Sequence, residues 1–352
     1  MSSALADQVV SASLQTYLEK HVAGFEGPAH MQKFADGQSN PTYKLTAASG
    51  LYVLRSQPPG KLLKSAHAMD REYRVQKALR DSNVPVAQVF HLCEDREVLG
   101  SMFYIMEFCD GRIFWKADLP KVDSNAERNA IYDEMNRVLA ALHRVDINAV
   151  SLSDYGKPGN FFARQFARWT SQYRASELDV IPSMEDLMTW LGENQPADDG
   201  KVALVHGDYR LDNLVFHHER PEIIAVLDWE LSTLGHPYAD LAYQCMQLRM
   251  PHMNDRVSGL DGLDRAALGI PCESEYIARY CKRMNIDRID NWPFYLAFSF
   301  FRLAAIIQGV VKRAVEGNAS NEKAAALGQW VDPLARKALA VINENEVGNS
   351  SF

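Results

Sequence analysis

The chain has 352 residues, of which 47% are apolar and 23% charged, and this is ordinary for a globular protein with a sizeable core. Its 45 acidic and 37 basic residues give a formal charge of −8, which makes nucleic acid and anionic membranes poor candidates as partners. The five cysteines form no Cys-x-x-Cys pair, and Met1 to Val10 lacks the basic and apolar parts of a signal peptide, so we expect a reduced, cytoplasmic protein.

The first third of the chain carries short apolar runs that are typical of strands. Leucines and valines at helical spacing predict a helix over residues 5–22 before these runs begin. A second helix, Ser65–Leu79 with Ser65 as its N-cap, is predicted between the third and the fourth run. The five runs are Met31–Ala35, Thr42–Thr46, Leu51–Arg55, Val86–Cys93 and Met102–Phe108. We therefore expect a sheet of five strands with one main helix.

The remainder of the chain is predicted to be mainly helical, with a strand-rich insert at 202–229. The predicted helices lie near 124–145, 160–176, 183–194, 238–249, 273–284, 292–316 and 320–345. The change of pattern falls at Asp110-Gly111, where turn-forming residues interrupt the apolar runs. This change predicts two domains, an N-lobe of residues 1–109 and a helical C-lobe of residues 110–352.

Three polar residues, Asp208, Asn213 and Asp228, stand in a fixed order in and around this insert. If 213–217 and 223–228 form a hairpin in which opposed residue numbers add up to 441, Asn213 faces Asp228 at about 5 Å. An amide and a carboxylate oxygen at that distance suit Mg²⁺. Asp208, on the loop before the hairpin, could accept a proton from an attacking hydroxyl, which completes the residue set of phosphoryl transfer. Each residue alone would carry little weight, because Asp and Asn are frequent in turns.

The segments His206-Gly207-Asp208 to Asn213 and Leu227-Asp228-Trp229-Glu230 resemble the Brenner-type motifs of the aminoglycoside phosphotransferase family, small-molecule kinases with a protein-kinase-like fold. The resemblance runs from near Gln32 to near Trp330, and it is closer still to the phosphotransferase domain fused to some acyl-CoA dehydrogenases. The segments that carry the closer resemblance are Gly37–Tyr43, Tyr52–Arg55, Asp70–Val75, Phe103–Phe108 and Gly317–Ser320. The resemblance implies an α+β, two-lobed fold with an antiparallel sheet in the N-lobe, a helical C-lobe and nucleotide between them.

The resemblance also implies ATP and Mg²⁺ as cofactors, with Asp208 as the catalytic residue and Asn213 and Asp228 as metal ligands. Arg55 stands where kinases place a lysine that contacts the phosphates, and Glu72 is its helix partner. An arginine can bind phosphate through two hydrogen bonds, and Lys44 on the neighbouring strand is the reserve candidate. Glu72 could instead lie on a solvated face of its helix.

Further site residues follow by position from the same resemblance. The nucleotide-binding residues are Gly37, Ser39 and Asn40 in a turn, and Met106, Glu107 and Cys109 in the strand that becomes the hinge. The turn would offer backbone N–H groups to phosphates. The hinge backbone would meet the adenine edge. His206 and Asp240 are expected to support the catalytic loop rather than to react.

The acceptor side of the site is less defined. Tyr295–Val311 is the most apolar stretch, but it is short and contains Arg302 and Gln308, so we interpret it as a buried helix rather than a membrane span. Burying Arg302 is costly unless it is paired. Arg313 lies three turns further on the same face. These two arginines could bind a carboxylate or a coenzyme A phosphate, or they could form internal ion pairs.

The predicted function is therefore an ATP-dependent kinase that transfers the γ-phosphate to a small-molecule hydroxyl. The closer resemblance implies a hydroxy acid or hydroxyacyl-CoA as acceptor, and with it a link to acyl-CoA metabolism. An aminoglycoside-type kinase would need an acidic acceptor pocket, which the sequence does not locate. A nucleotide-binding pseudokinase is the alternative from another class, although Asp208, Asn213 and Asp228 are all present. A dehydrogenase would need a Gly-x-Gly-x-x-Gly turn, which the chain lacks.

Overall fold

The computed structural model describes residues 8–34, 40–58, 68–252, 258–316 and 322–349. The chain forms two compact units, each assembled from three stretches. Unit 1 comprises Met1–Ile113, Asp146–Leu152 and Asp212–Ser232, and unit 2 comprises Phe114–Val145, Ser153–Leu211 and Thr233–Phe352. The division into domains at residues 109 and 110 stays a prediction. The units differ from it because residues 212–232 belong to unit 1, the unit that contains the sheet.

Unit 1 is built around a six-stranded antiparallel sheet with the strand order β1-β2-β3-β4-β6-β5. The strands are β1 Gln8–Val9, β2 Ala29–Lys33, β3 Thr42–Ala47, β4 Gly50–Ser56, β5 Val89–Cys93 and β6 Phe103–Glu107. The five predicted strands are all present. The helix predicted over 5–22 is wrong at its start, because Gln8 and Val9 pair with β2 and the helix begins only at Ala12.

Two helices of unit 1 pack against strand β4, whose inner residues are buried on both sides. The helices of this unit are α1 Ala12–His21, α2 Met69–Leu79 and α3 Arg96–Leu99. Leu54 of β4 belongs to the apolar cluster of α1, whereas Val53 belongs to a second cluster that contains Met69 of α2. Alternation along the strand therefore assigns successive side chains to different helices. The predicted N-cap Ser65 lies outside the described residues.

The predicted hairpin is present, but its register differs from the prediction. Its strands are β8 Leu214–Phe216 and β9 Ile223–Val226, and the pair Leu214 and Val226 adds up to 440 rather than 441. The N–H of Leu227 donates to the carbonyl of Asn213 at 2.8 Å, so Asn213 faces Leu227 and the prediction that it opposes Asp228 is wrong. Nearer the turn, Phe216 pairs with Ile223 and their numbers add up to 439, so the turn is centred one residue earlier than predicted. A bulge between Val215 and Phe216 then raises the sum to 440 at the open end of the hairpin.

Unit 2 is mainly helical, and a short antiparallel pair, β7 Ala203–Val205 and β10 Thr233–Gly235, carries the loop that follows β7. Its helices are α4 Asn125–His143, α5 Phe161–Ser176, α6 Pro182–Glu193, α7 Tyr238–Arg249, α8 Arg265–Leu268, α9 Glu273–Met284, α10 Trp292–Val315 and α11 Val331–Asn349. Helix α10 packs against α5, α6, α7 and α11. It is long and apolar enough to cross a membrane, but 72% of its most apolar window is buried inside the protein. This burial confirms the interpretation of the stretch as a core helix.

The last predicted helix, 320–345, is partly wrong. Residues Glu322–Trp330 form a 3-10 helix, and the α-helix begins only at Val331. Pro333 stands in the first turn of α11, where the missing N–H of a proline is tolerated. One continuous α-helix through Pro333 would lose a hydrogen bond and bring its ring against the preceding turn.

Candidate active site

Arg55 is aimed at helix α2 by the alternation of strand β4. Val53 and Arg55 lie two residues apart and so share one face of the sheet, and Val53 belongs to the cluster of α2. Tyr104 of β6 is the direct partner of Arg55 across the sheet. The guanidinium is largely buried, with 13% of the side chain exposed.

Glu72 lies on the buried face of α2 and meets Arg55 there. Glu72, Val75, Gln76 and Leu79 are all buried, and this spacing places them on one face of the helix. The Glu72 carboxylate lies 2.9 Å from Nε of Arg55 and accepts a hydrogen bond of 3.1 Å from the Tyr104 hydroxyl. The solvated-face alternative for Glu72 is therefore wrong.

Asp228 and Glu230 bring two further carboxylates to the same guanidinium. Asp228 lies 2.5 Å from Nη2 of Arg55, and Glu230 lies 3.9 Å from it. The Asn40 amide donates to Glu72 at 3.2 Å and to Glu230 at 3.1 Å. Asn40 thus joins the network through its side chain. We call Asn40, Arg55, Glu72, Asp228 and Glu230 the Arg55 cluster.

The charges of the Arg55 cluster do not balance, since three carboxylates face one guanidinium. Burial raises the pKa of Glu72 to about 7, with Asp228 and Glu230 adding to the shift and Arg55 opposing it. Burial alone would lower the pKa of Arg55, but Glu72 and the neighbouring acidic groups outweigh it and raise that pKa. Arg55 therefore stays charged, and the cluster has an excess of negative charge.

Asp228, which follows strand β9, has an unusual backbone conformation. Its φ of 63° and ψ of 62° lie in the left-handed region, which few residues other than glycine, asparagine and aspartate adopt. Asn213 ends a 3-10 turn, Leu211–Asn213, just before β8. Neither residue is extended, so strand alternation does not set their side-chain directions. Their convergence on one metal ion stays a prediction.

The other predicted nucleotide-binding residues have mixed outcomes. Nζ of Lys44 lies 4.6 Å from the centre of the Phe108 ring, so Lys44 forms a cation–π contact next to the end of β6. Met106 is buried beside Val53, and burial raises the pKa of the Cys109 thiol to about 12, which keeps it an unreactive thiol. Gly37 and Ser39 lie outside the described residues. The adenine contacts of Met106, Glu107 and Cys109 stay predictions.

The loop after β7, residues 206–208, is held through its main chain. Asp240, at the start of α7, accepts hydrogen bonds from the N–H groups of His206 at 2.6 Å and Gly207 at 2.8 Å. The N–H of Asp208 donates to Nδ1 of His206 at 3.2 Å. Gly207 has a φ of 84°, so a side chain there would strain the turn. These contacts are those expected of the predicted supporting residues His206 and Asp240.

Asp240 is itself supported from inside unit 2. Nε2 of His143 lies 3.4 Å from its carboxylate, and Nδ1 of His143 lies 2.7 Å from the Tyr280 hydroxyl. Burial alone would raise the pKa of Asp240, but the hydrogen bonds and charges of His143 and His206 outweigh it and lower that pKa. Asp240 is therefore an ionised acceptor in a buried position, and the contact with His143 was not predicted from the sequence.

Arg302 contacts the same loop from α10. One of its terminal nitrogens donates to the Gly207 carbonyl at 2.5 Å. Its guanidinium carbon lies 5.2 Å from the centre of the Tyr243 ring and 5.7 Å from that of Trp169. The Asp208 carboxylate lies near the Tyr243 hydroxyl and, after burial, contributes to raising the pKa of that hydroxyl. The predicted role of Arg302 in substrate binding stays a prediction, as does that of Arg313, whose side chain is exposed.

Two features of the site were not anticipated from the sequence. Glu230 belongs to the Arg55 cluster and Tyr104 donates to it through Glu72, and strand alternation in β6 could have placed Tyr104 beside Arg55 had the register been known. Tyr243 lies in a helix that is buried on nearly every side, and such a helix gives no periodic signal for a polar contact.

Comparison with known proteins agrees with this geometry. The chain is 47% identical over 329 residues to acyl-CoA dehydrogenase family member 10 of Mus musculus and 44% identical over 332 residues to family member 11 of the same organism. These matches cover 92% and 93% of the chain, but the chain spans only 31% and 42% of the length of those relatives.

Solved structures give the same result. An aminoglycoside-phosphotransferase-like protein from Ralstonia eutropha JMP134 superposes with a TM-score of 0.87 at 48% identity, covering 96% of this chain and 99% of the other. Aminoglycoside phosphotransferase APH(4)-Ia, solved with ADP and hygromycin B, has a TM-score of 0.59 at 15% identity, covers 93% of this chain and 99% of its own, and so shows the fold alone. The predicted kinase-like α+β fold and the predicted phosphotransferase class, with an alcohol group as acceptor, are confirmed. A model described as the phosphotransferase enzyme family matches residues 30–270, and the chain belongs to this family.

Proposed function

We propose that the chain is an ATP- and Mg²⁺-dependent kinase that phosphorylates the hydroxyl group of a small molecule. The observation that carries this proposal is the contact of Arg55 with both Glu72 and Asp228. The residue assigned to the phosphates is thereby held beside the residue assigned to the metal. In phosphoryl transfer, positioning and charge stabilisation supply most of the catalysis, so this adjacency matters more than any reactive side chain.

The residues of unit 1 fit a magnesium ion. The Arg55 cluster has three carboxylates for one guanidinium, and a divalent cation would balance that excess. Within the residues that the structure describes, no group of three His, Cys, Asp or Glu side chains could hold a metal alone. Mg²⁺ commonly takes one or two protein oxygens and completes its shell with water and substrate phosphates. Asn213 and Asp228 would hold it, and it would neutralise charge on the phosphates.

Asp208 is assigned to the acceptor hydroxyl. The hydroxyl oxygen forms a bond to the γ-phosphorus of ATP, the bond from that phosphorus to the bridging oxygen of ADP breaks, and the hydroxyl proton passes to Asp208. Because the transition state is loose, the proton moves late and Asp208 acts mainly by orienting the hydroxyl. This role requires a carboxylate in a fixed place, and the hydrogen bonds of the 206–208 loop to Asp240 provide it.

The acceptor that we propose is a hydroxy acid, free or as a coenzyme A thioester. The support is the similarity to proteins that carry the name acyl-CoA dehydrogenase, of which this chain spans less than half. The family match lies in residues 30–270, so the part of the chain that these relatives share is the phosphotransferase. The link to acyl-CoA metabolism that we propose is therefore a link in function. We also propose Arg313, which is exposed on α10, as a contact for the acceptor's anionic group.

A phosphorylation screen with labelled ATP and Mg²⁺ tests both parts of the proposal. The panel contains hydroxy acids, hydroxyacyl-CoAs, the matching acyl-CoAs without a hydroxyl, and amino sugars. We expect label on a hydroxy acid or hydroxyacyl-CoA, none on the acyl-CoA that lacks the hydroxyl, and none with Asp208→Asn. Label on amino sugars only would refute the acceptor and leave the kinase standing. Nucleotide binding without transfer to any compound would favour the pseudokinase alternative.

A further inference from the structure

Two residues hold the 206–208 loop by hydrogen bonds. Asp240 is the support that was predicted, and Arg302 is a second one that was not. Asp240 accepts from the N–H groups that precede Asp208, whereas Arg302 donates to the carbonyl that immediately precedes it. That carbonyl and the N–H of Asp208 belong to one planar peptide group. Because the peptide is rigid, the hydrogen bond from Arg302 restricts the rotation of the group to which Asp208 is attached.

The side chain of Asp208 lies near the hydroxyl of Tyr243. Tyr243 is buried, and the Asp208 carboxylate contributes to raising the pKa of its hydroxyl, after burial itself. Tyr243 therefore stays protonated and can donate to that carboxylate. A donor to a carboxylate makes a stronger hydrogen bond than a neutral pair does. Such a bond would orient the carboxylate through a group that cannot take its proton at neutral pH.

Arg302 and Tyr243 also contact each other. The guanidinium lies over the Tyr243 ring at 5.2 Å and over the Trp169 ring at 5.7 Å, both within the range of cation–π attraction. These rings give a half-buried charge the partners that an apolar helix would not. The position of the tyrosine ring and that of the loop carbonyl therefore depend on the same guanidinium.

We infer that Arg302 and Tyr243 are positioning residues for phosphoryl transfer, and that they act together by fixing the peptide and the carboxylate of Asp208. The inference depends on the proposed role of Asp208 as the residue that orients the acceptor hydroxyl. Arg302 then acts on the reaction through the loop rather than by binding the acceptor's anionic group, which leaves Arg313 as the arginine for that contact.

The test uses the full chain with Mg²⁺–ATP, and water serves as the phosphoryl acceptor because it requires no identified substrate. Tyr243→Phe and Arg302→Met should each lower kcat for ATP hydrolysis ~10-fold to ~100-fold, the size of a hydrogen bond to a charged group. The KM for ATP should be unchanged, because neither residue is among those assigned to the nucleotide. Arg302→Lys keeps a charged donor and should restore part of the rate.

Matched controls separate positioning from general damage to the core. Tyr276→Phe removes a buried hydroxyl that has no hydrogen-bond partner, and Arg144→Met removes a donor to the Arg283 carbonyl at the surface of the same unit. Both controls should keep the wild-type kcat. The double variant of Arg302 and Tyr243 should lose less than the product of the single losses, because both residues hold one segment.

Hydrogen exchange at the amides of His206, Gly207 and Asp208 gives a readout that does not depend on activity. We expect faster exchange there in Arg302→Met and not in Arg144→Met. An unchanged kcat in Tyr243→Phe and Arg302→Met, or a loss that the Tyr276→Phe control reproduces, would overturn the inference. If the wild type does not hydrolyse ATP, these residues have no rate to affect and the inference fails, whereas the proposed function is decided separately by the acceptor screen.

Discussion

The two carboxylates assigned to catalysis are held in place by different physical means. Asp228 is fixed by opposite charge, since its side chain lies against Arg55 within a network of other acids. Asp208 is fixed through its main chain, because the loop on which it stands is hydrogen-bonded to Asp240 and Arg302. A residue held by charge responds to any cation or proton that enters its surroundings. A residue held by main-chain hydrogen bonds responds only when the fold around it changes.

This difference suits the two roles. A metal ligand must exchange a protein cation for a metal ion, and the ion pair of Asp228 with Arg55 supplies a cationic partner that a metal ion can replace. A residue that orients a hydroxyl must keep one geometry, because a small displacement of a reacting group costs a large factor in rate. The contrast can be tested by changing one means of support at a time.

The largest expected effect separates the two carboxylates directly. Asp208→Asn should lower turnover ~10²-fold to ~10⁴-fold, the usual contribution of general-base catalysis, while nucleotide affinity stays as in the wild type. Asp228→Asn removes a metal ligand and should lower both Mg²⁺–ATP affinity and rate. Calorimetric ATP binding beside steady-state phosphorylation measures both quantities. Equal loss of nucleotide binding in the two variants would mean that the roles are assigned wrongly.

The support of the loop is tested by Asp240→Asn. The amide places an NH₂ group opposite main-chain donors that need an acceptor, so the free energy of unfolding should fall by about 3 kcal/mol, the lower end for a broken buried pair. Urea unfolding measures the loss. Asp332→Asn is the control, because Asp332 is 40% exposed and accepts from Ser183 and Arg336 near the surface. A loss in Asp240→Asn no greater than in this control would contradict the buttressing role.

The ion pairs that hold Asp228 in place are tested by Arg55→Lys. A lysine keeps the charge but cannot present the planar fork that reaches Glu72 and Asp228 together, so we expect a loss of about 1 kcal/mol, one hydrogen bond. Arg220→Lys is the control, since the Arg220 side chain pairs with Glu222 at the exposed surface. Thermal unfolding measures both. A stability equal to that of the wild type would show that one contact of Arg55 is enough.

The last prediction is a pH dependence that comes from Glu72. Burial raises its pKa from 4.5 to about 7, so between those values the folded state binds a proton that the unfolded state has lost. The stability contributed by this group is fully present below pH 4.5 and is lost as the pH rises through 7, by at most about 1.4 kcal/mol per pH unit. Relative to Glu72→Gln, the wild type should therefore lose free energy of unfolding as the pH rises from 5 to 7. Parallel pH profiles of the two proteins would rule out this titration.

The sequence determined the parts of the molecule that depend on local pattern. The five strands, most of the helices and the residue types of the site follow from periodicity, turn residues and one ordered motif, because these signals act over a few residues. Arg55 and Glu72 could be paired in advance only through the family resemblance, although the alternation of β4 agrees with the pairing.

Tertiary structure alone decided the contacts between distant segments. The hairpin turn is centred one residue earlier than predicted, and a bulge beside Val215 changes the register along the strands, because both depend on neighbouring segments rather than on the strand's own pattern. From the sequence, Arg302 could bind a substrate or form an internal contact, because it is a charge in an apolar helix. Its hydrogen bond to Gly207 forms only in the folded chain, where α10 packs against α7. Residues that lie 95 positions apart in the chain meet through packing, and no local spacing encodes which polar group a buried side chain will find.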